Sequence, residues 1–257
     1  MRYNIDFDVA AMVLAITTLV HFLTKKSIKN FQTKIFASML WLSLVSDIMD
    51  IFTAVISNRN MPGWVVYSVN IVYLLTFNIL PFLYYIYCLS VVQNPKQWKL
   101  GRKILSWGPI VITCVSIITT PWTKWIFYND AVTGYTHGNG FIILYVIAFW
   151  HMFFSLQFSI QYKAKLTFGQ RSSVYYYSVA ILFGIIFQVI FPKILMLQFA
   201  GAVSLLLMYL TLENPKDYEN RELGIYNRRG FLKLAGASIE KNERFSILGI
   251  RFNGTSQ

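Results

Sequence analysis

Seven long apolar runs, roughly 7–24, 35–56, 64–91, 104–121, 140–162, 174–191 and 194–212, leave this chain few folds to choose from. A helix that crosses the hydrocarbon of a bilayer needs about 20 predominantly apolar residues, and each run comes close to that length or exceeds it. Composition supports the reading. Only 13% of the residues are charged while 56% are hydrophobic, against about a quarter charged in ordinary globular chains. The expected fold class is an all-α membrane protein built as a seven-transmembrane helix bundle over residues 1–212. The first run follows an acidic start and ends in Lys25-Lys26, the reverse of a secretory leader, so it is expected to be a retained span. The third run is long enough to project beyond the bilayer. The last two are separated only by Pro192-Lys193, which predicts a tight hairpin or a tilted helix.

The formal charge of +12 is distributed by loop. Lys25, Lys26, Lys29, Lys34, Lys96, Lys99, Arg102, Lys103, Lys163, Lys165 and Arg171 fall on the first, third and fifth connections; Arg2, Arg59, Lys124 and Lys193 fall on the other side. The richer side of a multi-span protein faces the cytoplasm. The N-terminus is then expected outside and the C-terminus inside. The same distribution makes membrane lipids, through their anionic head groups, the partner of these charges, and nucleic acid is not expected. Trp98, Trp107 and Tyr175-Tyr176-Tyr177 lie near the inner ends of their runs, and Trp64, Trp122 and Trp125 near the outer ends. Amphipathic rings prefer the head-group level, so these residues are expected to anchor the helices there. The connection from Pro121 to Gly140 is rich in turn formers. It fits a small hairpin lid or a linker.

Polar residues inside the runs are the candidate functional groups. Ser43, Asp47, Asp50 and Ser57 share one face of the second run by helical spacing. An ionisable side chain in hydrocarbon costs several kcal/mol, so it is expected to face the bundle interior or a watery cavity. His151, Ser155 and Ser159 repeat the pattern in the fifth run; Asn70, Tyr73 and Asn78 lie in the third, and Gln188 and Gln198 in the last two. Two readings follow. One is a small-molecule pocket, or an Asp/His pair, between the second, third and fifth spans, with Asp47, Asp50, Asn70, Asn78 and His151 as ligand-binding residues. The other is interhelical hydrogen bonding, worth about 0.6–2 kcal/mol per contact.

Several functions are disfavoured. A retinal protein needs a lysine in mid-span of its seventh helix, and Lys193 lies at the boundary of that run. Repeats with broken helices at matching positions, a mark of secondary transporters, are not evident. The sequence holds no zinc-ligand spacing, no phosphate-cradling glycine loop and no Ser/His/Asp order. No metal and no cofactor are expected. Cys88 and Cys114 fall in apolar runs, where a thiol behaves as a small hydrophobe.

Beyond the last run, residues 213–222 read as a juxtamembrane linker. An amphipathic unit is expected from Asn227 to about Ile239, then a strand over Arg244–Phe252, together a short α/β fragment. Within Leu223–Phe231, the residues Gly224, Asn227, Arg228, Arg229 and Phe231 resemble the opening of a GGDEF domain, the catalytic module of diguanylate cyclases. That opening reads roughly Asp-x-Leu-Thr-Gly-Leu-x-Asn-Arg-Arg-x-Phe. The layout is similar to that of bacterial membrane sensor cyclases, which implies a seven-span sensor region joined to a cyclase domain in the inner membrane, signalling through cyclic di-GMP after dimerisation. Over 223–257 the match departs from the family in ways that bear on activity. The family's first strand ends in Asp-x-Asp, which binds magnesium; here those positions are Gly249-Ile250-Arg251, and neither Gly249 nor Arg251 offers the oxygen ligand a hard cation needs. The family's signature loop lies beyond the last residue of this sequence. The resemblance therefore implies a truncated, degenerate domain start with no catalytic residues, on a sensor module for an unidentified small molecule. A small permease with a path past Asp47, Asp50 and His151 is the alternative.

Overall fold

The computed structural model describes residues 4–24, 30–56, 61–92, 98–130, 134–164, 166, 168–191, 194–213, 219–220, 223, 225–240, 244 and 246–249. Local chemistry sets the starts of the first helices. In α1 (Asp6–Thr24) the Asn4 side chain accepts the Asp6 N–H at 2.9 Å, and two aspartates in the first turn complement the helix dipole. In α2 (Phe31–Ile56) the Asn30 carboxamide oxygen accepts both the N–H and the hydroxyl of Thr33, at 2.8 and 2.7 Å. The 30 residues of α3 (Gly63–Val92) rise about 45 Å, more than the roughly 30 Å of hydrocarbon. The expected overhang of the third run is therefore present. Next come α4 (Leu100–Ile118), the single turn α5 (Thr120–Thr123), strands β1 (Phe127–Asp130) and β2 (Gly134–His137), then α6 (Ile142–Gln161), α7 (Phe168–Ile190) and α8 (Leu197–Met208). A π-helical turn, Tyr209–Glu213, continues α8.

The helices close a ring. α1 packs on α2, α2 on α3, α3 on α6, α6 on α7, α7 on α8 and α8 back on α1; α4 lies outside against α3 and α6. Each of the seven apolar runs coincides with a helix. Five of these, α1, α2, α3, α4 and α6, are long and apolar enough to cross a membrane, whereas the apolar stretches of the other two, Arg171–Phe187 and Leu197–Thr211, are shorter. Pro192 and Lys193, at the junction between the last two runs, lie outside the described residues.

The surface is turned inside out relative to a water-soluble bundle. Val9, Val13, Ile16, Val20 and Leu23 of α1 face outward at intervals of three and four, as do Tyr176, Val179, Phe183, Ile186 and Ile190 of α7. Meanwhile Asp8, Asp47, Asn78, His151 and Ser155 are buried. Apolar stripes of this extent outside, with polar groups inside, are the arrangement of a multi-pass membrane protein.

Where the ring is tightest, Tyr84 stacks on Tyr177 with centroids 3.9 Å apart, and the Tyr84 hydroxyl donates to the Val174 carbonyl at 2.9 Å. Tyr177 thus belongs to the core rather than to the head-group belt expected for it. Trp98 departs in the same way. It is buried in the cluster around Leu19, Phe36 and Tyr87, while Trp64, Trp107 and Trp122 are exposed. Proximity to the end of a run does not reveal whether a ring faces the lipid or a neighbouring helix. Tyr84→Phe removes the buried bond to Val174 and the longer contact with the Ser178 hydroxyl while keeping the stack. It is expected to cost about 1 kcal/mol of bundle stability, read from the midpoint of unfolding in a mixed detergent titration.

The connection between α5 and α6 is a hairpin. Phe127 pairs with His137 and Asp130 with Gly134 in an antiparallel register, and Ile126 and Phe127 are buried beneath it. Two glycines let it close on Trp125. The Gly138 N–H donates to the Ile126 carbonyl and the Gly140 N–H to the Trp125 carbonyl, both at 2.8 Å. A Cβ on Gly138 would meet the Lys124 carbonyl oxygen at 2.7 Å, and one on Gly140 the indole ring of Trp125.

In the tail, β3 (Glu219–Asn220) and β4 (Ile225–Tyr226) form a two-residue antiparallel ladder. The helix α9 (Arg228–Glu240) matches the expected amphipathic unit. The strand expected over 244–252 is not formed at Arg244 or at 246–249; the rest of it lies outside the described residues. A lone strand has no neighbour to take up its backbone hydrogen bonds, so apolar character alone does not make one here.

Candidate intramembrane polar site

The packing of α1, α2 and α8 brings three carboxyl groups together. Asp8 is the third residue of α1, while Asp47 and Asp50 lie one turn apart on α2, and each carboxyl is within electrostatic reach of another. Asp8 and Asp47 are 0% exposed and Asp50 is 4% exposed. Counted from the end of α2, Asp50 lies about 9 Å in and Asp47 about 13 Å, at a rise of about 1.5 Å per residue. The start of α1 sits at that same end, because the two helices run antiparallel through a short connection. The predicted polar face of α2 is therefore real at Ser43, Asp47 and Asp50, all buried; Ser57 lies outside the described residues.

The three acids are held differently. Around Asp50, the Tyr73, Thr53 and Gln198 side chains all supply donors. Gln198 also donates to the Ser46 hydroxyl at 2.9 Å, tying α8 to α2. All four carboxyl oxygens of Asp8 and Asp47 are buried with no hydrogen-bond partner among the described residues. No cationic side chain among the described residues faces the group; the ionisable side chains facing it there are carboxyls and the phenol of Tyr73.

Asp8 was not singled out from the sequence, where it counted only towards an acidic start. The signal was present. Positions 8, 11, 15, 18 and 22 share one helical stripe, and Asp8, Ala11, Ala15, Thr18 and Phe22 are the buried face of α1.

The remaining candidates stand apart from this group by their hydrogen bonds. The ring nitrogens of His151 lie 3.0 Å from the Ile147 carbonyl oxygen and 3.2 Å from that of Ser106, with Phe82 and Tyr85 against the ring. It is engaged by backbone, and no Asp/His pair forms. Asn70 and Asn78 each donate to the carbonyl one turn back, Val66 at 2.8 Å and Leu74 at 3.0 Å; the Asn78 carboxamide oxygen is buried without a partner among the described residues. Ser155, Ser106, Thr113 and Ser204 also bond to their own helices one turn back, so most buried hydroxyls of the bundle are satisfied locally. Ser159 borders a separate cavity of about 270 Å³ beside Tyr87 and Cys88. The side chain of Gln188 lies outside the described residues.

Beside the acids runs a cavity of about 480 Å³, counted out into open solvent at its mouth, between α2, α3, α6, α7 and α8. Phe77, Pro81, Met152, Ile181 and Leu197 make it apolar, and Ser46 and Gln198 are its polar wall. Its lining, apolar with two polar groups, has the character of a small-molecule site. Gln198 bonds to Ser46 and to Asp50, so it belongs to the cavity and to the acidic group at once.

In the tail, Asn227 caps α9. Its side-chain oxygen accepts the Gly230 N–H at 3.0 Å, and its carbonyl accepts the Phe231 N–H at 2.9 Å. Arg228, Arg229 and Phe231 are exposed, as is Gly249; Gly224 and Arg251 lie outside the described residues. No group of three His, Cys, Asp or Glu side chains among the described residues is placed to hold a metal ion.

Comparison with known proteins finds no family profile that matches the chain and no curated protein that matches it.

Proposed function

We propose that this chain is the membrane sensor module of a bacterial signalling protein of the seven-span diguanylate cyclase type. In this reading α7 and α8 complete seven spans in the inner membrane, with the N-terminus outside and the C-terminus in the cytoplasm. A small molecule bound in the bundle shifts α8, and α8 leads to the tail, where paired chains would bring output domains together. Gly249 and Arg251 stand where the family needs magnesium ligands, so the chain itself makes no cyclic dinucleotide.

The observation that carries the reading is the order of elements. The last apolar helix is followed within about twenty residues by the family-like turn, in which Asn227 serves as the N-cap of α9. This gives the Asn-Arg-Arg-x-Phe resemblance a structural purpose, since the asparagine starts the helix whose first turn carries the arginines. A chimera tests it: residues 1–222 joined to an intact cyclase domain, with cyclic di-GMP read by a reporter in cells. Output that changes with the medium, and loses that change on Gln198→Ala, is expected. Constant output across media would remove the reading. The acidic group favours one alternative, a permease for cations, for which uptake into vesicles that disappears on Asp47→Asn would be the mark.

A further inference from the structure

We propose that Asp8, Asp47 and Asp50 form a binding site for a small aliphatic amine, held as its ammonium ion between α1 and α2. The inference names a ligand class for the bundle. It rests on the sensor reading only for what the binding accomplishes.

Three features of the site point to this ligand. The first is sign: three acidic side chains meet in the bundle interior, and no cationic side chain among the described residues faces them. A buried carboxyl group without a partner is costly, and a positive ligand is the partner of matching chemistry. The second is the unequal treatment of the three. Asp50 is anchored by Tyr73, Thr53 and Gln198, whereas Asp8 and Asp47, both fully buried, offer four acceptor oxygens that no group among the described residues fills. Anchoring one acid and leaving two open is the pattern of a site rather than of a structural network, in which buried polar groups are bonded to one another.

The third is spacing. A divalent metal draws its oxygen ligands to about 2.0–2.6 Å from one point, and the described residues hold no such convergence. An ammonium group needs no such tight convergence: it presents three N–H donors, each about 2.7–2.9 Å from its own carboxylate oxygen. The site lies near the end of the bundle where α1 begins. A charged ligand therefore reaches it from water without crossing the full hydrocarbon thickness.

The test uses the full chain in lipid nanodiscs. Thermal unfolding and calorimetric titration are run with n-butylammonium chloride, n-butanol, tetramethylammonium chloride and sodium chloride. Butylammonium is expected to raise the melting temperature in a saturable way. Butanol should not, and tetramethylammonium, which has no N–H to donate, should be at least tenfold weaker. Asp8→Asn and Asp47→Asn should each weaken butylammonium at least tenfold. Because asparagine is nearly the same shape, the unliganded variants should melt no lower than the parent, and either variant alone suffices if the other fails to fold. Equal effects of butanol and butylammonium would overturn the inference, as would saturable stabilisation by sodium alone or retention of butylammonium binding in both variants. The absence of any butylammonium effect would assign the open oxygens to solvation instead. If butylammonium binds while the chimera stays silent, the sensor reading fails and the site stands. If the chimera responds to its medium but the amine does not bind, the reverse holds.

Discussion

Gly184→Leu is expected to destabilise the bundle by about 1–3 kcal/mol. A Cβ at position 184 would lie 3.0 Å from Leu197 Cδ1, 3.2 Å from Ala200 Cβ and 3.3 Å from Leu197 Cα. The first of these neighbours can swing away, but the other two belong to or adjoin the backbone of α8. The helices must separate to admit anything larger. In hydrocarbon there is little hydrophobic drive to hold them together, and close approach through small residues supplies much of the attraction. Gly201→Ala across the same interface is the control. Its Cβ would meet only Ile181 Cδ1, at 3.7 Å, an ordinary contact, and that variant is expected to be neutral or slightly stabilised. Unfolding midpoints in a mixed detergent titration compare the two. Equal midpoints would show that α7 and α8 are not held at this distance.

Asp47→Leu is expected to move stability the other way, raising it by about 1–3 kcal/mol in the absence of ligand. Both Asp47 oxygens are buried without a partner among the described residues. Removing them deletes an unsatisfied polar group, while leucine is similar enough in size to fill the space. The same substitution should abolish any stabilisation by butylammonium. A rise in stability joined to a loss of binding is the behaviour of a group retained for what it binds. A fall in stability would mean that Asp47 is held by contacts that leucine cannot replace.

Much of the architecture was legible because the bilayer imposes so few rules. Length and apolarity marked every long helix, and helical spacing on α2 marked the inward face carrying Asp47 and Asp50. What escaped depended on which helices touch. The sequence paired Asp47 and Asp50 with His151 because all three are ionisable and intramembrane. The ring of helices instead places His151 against the backbone of α4, and Asp8 beside the α2 acids. Nothing in the order of residues states that α1 and α8 are neighbours. Trp98 and Tyr177 were misplaced for a related reason, since a ring near the end of a span can anchor in the head groups or fill a gap between helices. The hairpin at 127–137 could be narrowed to two options from its turn residues. Gly138 and Gly140 settle it, because only residues without a Cβ let the chain pass so close to Trp125. In the tail, apolar residues such as Ile247 and Leu248 suggested a strand, but pairing, which sequence does not record, decides whether one forms.

The π-helical turn from Tyr209 to Glu213 winds more chain into its turn than an α-helix does. It is pinned on one side, where the Ser173 and Thr211 hydroxyls meet between α7 and the turn. One surplus residue in a helix is equivalent to about 100° of rotation and about 1.5 Å of advance for everything beyond it. The turn thus works like a screw thread. Relaxing it to α geometry would spin the following segment by more than a quarter of a revolution while α8 itself barely moved. On the proposed sensor reading, a displacement inside the bundle too small to travel as a push would leave it as a twist.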